Sequence, residues 1–162
     1  MNYTMTSEQL NDIRILAEGN TDLLDYLNAL QCSYDVVCDS LSNPQKVVNF
    51  IRYRIGYEDT ENFNVLYINA RGNIIKCETL FKGGKTQSIV AIDEVLRRAI
   101  LLKAHSIIVS HNHPSGNTTP SPQDLEITEK LKGACELVGI PLLDHVIVSK
   151  IDYFSFKKNG LI

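Results

Sequence analysis

Residues 106–113 read Ser-Ile-Ile-Val-Ser-His-Asn-His, and Ser121-Pro122-Gln123-Asp124 follows, giving the pattern H-x-H-x7-S-x-x-D. These four groups suit one zinc ion and the water it activates. If the apolar run is a strand, each residue advances about 3.3 Å and side chains alternate, so His111 and His113 share a side with Cβ atoms about 6.6 Å apart. Both imidazoles then reach one metal at Zn–N distances of about 2.0–2.1 Å. Asp124, returning from the start of the next helix, supplies a third ligand and leaves the fourth tetrahedral position to water. The chemistry expected of such a set is metal-assisted hydrolysis.

Each element also has a plainer reading. Ser121, Pro122 and Asp124 make a sound helix start, with a hydroxyl at the N-cap, proline at the first helical position and an acid near the positive end of the helix dipole. A lone H-x-H on a strand is weak evidence for a metal. The combination is stronger, because strand exit, turn and cap converge where open α/β sheets place their ligands. Pro114 and Gly116 fit a sharp turn that brings the helix start back toward the imidazoles.

The elements that must position these groups follow from periodicity. Residues 7–16 and 22–30 carry apolar side chains at helical spacing and predict two short N-terminal helices. Asn43-Pro44 opens a further helix with Val47, Val48, Ile51 and Ile55 as its buried stripe and Gly56 at its end. Residues 63–68 and 74–81 predict a hairpin, and 88–91 a short strand. A helix is expected over 93–104 with Val95, Leu96, Ala99, Ile100 and Leu102 facing the core, then a strand from 106 buried on both faces. A helix over 122–138 should bury Ile127, Leu131, Ala134 and Val138 and expose a Glu126–Lys130 pair. Residues 142–149 and 153–156 predict two more strands. The alternation indicates an α/β fold, a mixed sheet flanked by helices. Residues 1–42 read as an N-terminal helical extension and 43–162 as the domain proper.

At 162 residues, with 44% hydrophobic and 22% charged side chains, the chain suits one ordinary globular domain. No apolar run approaches the roughly 18 residues of a membrane span, so no membrane partner is expected. The polar beginning lacks the features of a secretory signal, and Cys32, Cys38, Cys77 and Cys135 lack C-x-x-C spacing, which fits free thiols in a reducing cytoplasm. A net charge of −3 gives little general attraction to nucleic acid. Lys82, Lys85, Arg97, Arg98 and Lys103 read as scattered solvated charge.

The run Ser110-His111-Asn112-His113-Pro114-Ser115-Gly116, with the later Pro141-Leu142-Leu143-Asp144-His145, resembles the bacterial RadC family of the JAMM/MPN superfamily of zinc metallopeptidase-like domains. The resemblance extends from about 43 to about 157. It implies the JAMM α/β fold, related to that of cytidine deaminases, with His111, His113 and Asp124 as ligands of Zn2+. It also implies a glutamate that moves the proton in hydrolysis. Glu61 is the first choice, because it precedes a strand and follows a helix as the JAMM glutamate does; Glu78 is the reserve and Glu94 the third. Ser121 is expected to help hold the tetrahedral oxyanion. His145 alternates with Leu143 and Ile147 as an ordinary strand residue would, and a role for it or Asp144 behind the ligands is a secondary expectation.

The superfamily's better understood members cleave amide or isopeptide bonds, so a peptide or isopeptide-linked protein is the expected substrate. The family's label is DNA repair, and a DNA-associated protein with a structural or phosphodiester-directed zinc is the rival reading. Residues 1–42 are too short and glycine-poor to match the helix-hairpin-helix segment of longer members. A nucleobase deaminase is rejected, since His113 stands where H-x-E requires glutamate and no P-C-x-x-C follows. Assembly into a homo-oligomer is left open.

Overall fold

A computed structural model of the chain describes residues 44–83 and 90–162. The two expected N-terminal helices, the 1–42 extension and the start of the expected strand at 88 lie outside the described residues. The elements are α1 (Pro44–Ile55), β1 (Asn62–Ile68), β2 (Ile74–Lys82), α2 (Val90–Leu101), β3 (Ser106–Asn112), α3 (Pro122–Val138), β4 (Leu142–Val148) and β5 (Tyr153–Ser155). They form one mixed sheet in the order β2-β1-β3-β4-β5, in which only the β3–β4 pair is parallel.

The central strand β3 is buried along its whole length, because helices cover both faces. On one face α1 packs Val47, Val48, Ile51 and Ile55 against Leu66, Ile68, Ile108, Val146 and Val148. On the other, Val95 and Ala99 of α2 and Leu131 and Cys135 of α3 pack against Val65, Tyr67, Ile107 and Val109. The strand alternation thus sorts even-numbered β3 residues toward α1 and odd-numbered ones toward α2 and α3. His111, being odd, faces α3.

Three expectations are corrected. Val90 and Ala91 belong to α2 and not to a strand; a short β-branched run does not fix element type, and here it forms the helix's first turn. The same helix stops at Leu101, where Lys103 adopts φ 53° and the chain turns into β3; Ile100, expected in the core, is 56% exposed. In α3 the buried stripe is Asp124, Thr128, Leu131 and Cys135, while Val138 is exposed and Ile127 and Ala134 are only half-buried. The helix is rolled so that two polar side chains face the sheet. Its bounds are those expected, with Gly139 at φ 69° ending it and Lys130 Nζ 2.6 Å from Glu126 Oε1 outside.

Candidate metal centre

His111 lies in β3, paired with Phe63 of β1 and Ile147 of β4, and is only 2% exposed. The strand ends at Asn112, but the His113 N–H still donates to the Val148 carbonyl at 2.9 Å, so the extended course persists for one more residue. That keeps His113 on the side of His111. The chain then turns: Gly116 takes φ 86°, a conformation that disfavours a Cβ, and its N–H donates to the His113 carbonyl at 3.0 Å. The turn places the Asn117 carbonyl 2.7 Å from His113 Nδ1, which donates to it. With Nδ1 so engaged, Nε2 is the atom His113 offers a metal.

The helix start supplies the carboxylate. Ser121 and Asp124 form a reciprocal capping box: the Asp124 N–H donates to Ser121 Oγ at 3.2 Å, and the Ser121 N–H donates to Asp124 Oδ2 at 2.7 Å. The Ser121 hydroxyl also donates to Oδ2, at 2.7 Å. These bonds fix the Asp124 rotamer with its oxygens facing the imidazoles. His111 Nε2 is 3.0 Å from His113 Nε2 and 3.2 Å from Asp124 Oδ1, and His113 Nε2 is 3.5 Å from Asp124 Oδ2. Three ligands at about 2.0–2.1 Å from a tetrahedral zinc would stand about 3.3–3.4 Å apart. The observed separations bracket that value, so the three side chains meet the size of a zinc site.

Glu61 completes the group. Its carboxylate and the three ligand atoms all lie within 4.8 Å of one another. It is exposed, on the segment between α1 and β1, and Asn112 ties that segment down. Asn112 Oδ1 accepts the Asn62 N–H at 2.7 Å, and its Nδ2 donates to the carbonyls of Glu58 at 3.1 Å and Thr60 at 3.0 Å. The Glu61 carbonyl accepts the Gly83 N–H at 2.7 Å. Glu78 and Glu94 are elsewhere and already paired: Glu78 with Arg98 at 2.9 Å and Lys76 at 2.7 Å, Glu94 with Arg98 at 2.5 Å and with Arg97. Both glutamates are thus engaged by cations and stand outside the group around the histidines.

The electrostatics fit a cation. Burial opposes the charge on Asp124, but the adjoining His111 and His113 imidazoles and the hydrogen bond from Ser121 outweigh it and hold the carboxyl far below the usual range. Its contact with Asp124 raises the His113 pKa against the effect of burial. Burial drives His145 well down, so it stays neutral.

The sequence reading passed over three contributors. Thr128, one turn after Asp124, places its hydroxyl 2.6 Å from His145 Nδ1, and His145 Nε2 is 2.9 Å from His111 Nδ1. The i, i+4 spacing of Asp124 and Thr128 was the available signal, and it was masked by the apolar pattern of the adjacent face. Asn112, between the two histidines, points to the opposite face and so reaches Glu61's segment from behind the site. The Asn117 carbonyl carries no side-chain signal at all. His105 is exposed, and Asp144 accepts from Ser155 Oγ at 2.6 Å and the Lys157 N–H at 2.9 Å at the far side of β4.

Comparison with known proteins places these residues in context. The model of the RadC-like JAB domain matches residues 41–161. Over 122 residues, 75% of this chain, it is 41% identical to the UPF0758 protein of Symbiobacterium thermophilum and 43% identical to that of Chromobacterium violaceum. The UPF0758 protein of Haemophilus ducreyi is 38% identical over the same length. Those matches cover 52%, 54% and 55% of the three relatives, so the chain spans about half the length of the curated relatives it matches.

Proposed function

Because the chain belongs to the RadC-like JAB domain family, we propose that this domain is a zinc-dependent hydrolase that cleaves an amide or isopeptide bond of a protein substrate. The observation that carries the reading is the convergence of His111 Nε2, His113 Nε2 and Asp124 at tetrahedral-edge separations, with the Glu61 carboxylate beside them. Two imidazoles and one carboxylate are a donor set zinc accepts, and three protein ligands are the number a catalytic zinc site uses. When bound, zinc supplies Lewis acidity that polarises a carbonyl and makes water nucleophilic near neutral pH.

The chain's own residues supply the rest. Glu61 takes the proton from the attacking water and returns it to the departing nitrogen, which a solvent-accessible carboxylate can do without desolvation. Ser121 is assigned to the oxyanion; its hydroxyl would exchange the Asp124 Oδ2 acceptor for the new one as charge develops. The capping box then has two duties, holding Asp124 and presenting a donor. No helix among the described residues is long and apolar enough to cross a membrane.

The test is a screen of peptide, isopeptide-linked and branched-DNA substrates against the wild type and Glu61→Gln. Amide turnover that falls by roughly 100-fold or more in Glu61→Gln while zinc is retained supports the proposal. Cleavage or salt-sensitive binding of branched DNA, with no amide turnover, would replace it with the DNA-directed reading.

A further inference from the structure

We infer that His145 and Thr128 are positioning residues that lock His111 in its Nδ1–H tautomer and so aim the Nε2 lone pair at the metal; the inference rests on the metal reading above. His145 lies on β4 with its Cα opposite Val109 and is 1% exposed. Its ring stacks on Phe156 at 4.7 Å with 13° between planes, and Phe63 meets it edge-on at 6.2 Å. Packing against these two phenyl rings in a buried position restrains the imidazole. Its two nitrogens point along one line of contacts: His111 Nδ1 at 2.9 Å on one side and Thr128 Oγ1 at 2.6 Å on the other.

The direction of every hydrogen in that line follows from its far end. Thr128 Oγ1 also lies 2.5 Å from the Asp124 carbonyl oxygen, which has no hydrogen to give, so the hydroxyl donates there. A hydroxyl has one hydrogen, so toward His145 it can only accept, and His145 Nδ1 must carry a hydrogen. Packed between Phe156 and Phe63 and 1% exposed, the His145 ring holds that one hydrogen, so its Nε2 is bare and accepts from His111 Nδ1–H. His111 in turn has a bare Nε2, the atom that faces His113 and Asp124. One carbonyl thus sets the tautomer of two imidazoles. The same line joins two of the three ligands, because it starts at the Asp124 backbone and ends at His111.

This arrangement differs from the simple case of a ligand histidine donating to a carboxylate or a carbonyl. Here the acceptor is another imidazole, whose orientation is set by packing and whose tautomer is set by a threonine on the helix that carries Asp124. Loss of the threonine hydroxyl should free His145 to take either tautomer, and His111 with it.

The experiment pairs imidazole 15N NMR of the zinc-free protein with Zn2+ affinity measured by competition against a chromophoric chelator. The wild type should show Nδ1–H with unprotonated Nε2 for both His111 and His145. Thr128→Val should give mixed tautomers at both and weaken Zn2+ binding by roughly 10- to 100-fold, and Thr128→Ser should restore both readouts. An Nε2–H tautomer of His111 in the wild type, or a Thr128→Val protein with wild-type tautomers and affinity, would overturn the inference. A wild type that takes up no Zn2+ yet shows the expected tautomers, shifted by Thr128→Val, would uphold the positioning role and sink the metal reading alone.

Discussion

Asn112 and Asn62 meet across β3 and β1, with the Asn62 backbone N–H donating to Asn112 Oδ1 at 2.7 Å in a buried setting. Asn112 therefore ties the segment bearing Glu61 to the strand bearing His111. Asn112→Ala removes this bond and those to Glu58 and Thr60, leaving one buried backbone donor unpaired at a cost of about 1–3 kcal/mol. Amide exchange at Asn62 should accelerate and turnover should fall, while bound metal stays near the wild-type level. Unchanged exchange at Asn62 would show that Glu61's segment is held by other contacts.

Ser121→Ala should lower stability by about 0.5–2 kcal/mol, because it removes an N-cap. It also removes one of two donors to Asp124 Oδ2, so zinc affinity should fall as well. Chemical denaturation and metal competition measure the two effects separately. A loss of turnover at saturating zinc, larger than the stability change explains, identifies the hydroxyl with the oxyanion; a rate that tracks stability leaves it as a cap.

Zinc binding should release a proton near neutral pH. His113 has its pKa raised by the Asp124 carboxylate, so in the metal-free protein its protonated form persists above the ordinary imidazole value of about 6.5. A metal needs the neutral ring, so apparent affinity should rise with pH through this raised value and level off above it. Calorimetry in buffers of different ionisation enthalpy reads the proton count directly. Affinity independent of pH from 6 to 8 would contradict the assignment of His113 as a ligand.

Glu78→Gln and Glu94→Gln should leave turnover within about twofold of the wild type, since neither belongs to the group around the histidines. Both side chains serve Arg98 instead. A rate loss in either comparable to that of Glu61→Gln would transfer the base role.

Much of the architecture was legible because burial imposes simple periods. The α3 bounds follow from Ser121, Pro122 and Gly139, and the H-x-H spacing places two imidazoles together whenever the strand course continues through His113. The roll of α3 was not legible. Ala134 and Val138 are as apolar as core residues, but Asp124 and Thr128 turn inward to meet His111 and His145, and that demand outweighs the apolar stripe. Glu61 was recoverable only through resemblance, since its approach to His111 depends on how β1 pairs with β3. The start of α2 was misread because Val90, Ala91 and Ile92 suit a strand or a helix equally well until the neighbouring elements are known.

Zinc stoichiometry after exhaustive dialysis against metal-free, chelator-free buffer, followed by addition of one equivalent of Zn2+, tests the central claim most directly. The wild type and Glu61→Gln should each retain close to one zinc per chain, and His111→Ala and Asp124→Ala should retain far less while remaining folded by circular dichroism. A folded wild type that retains no zinc, or an Asp124→Ala protein that binds it as tightly as the wild type, would contradict the account.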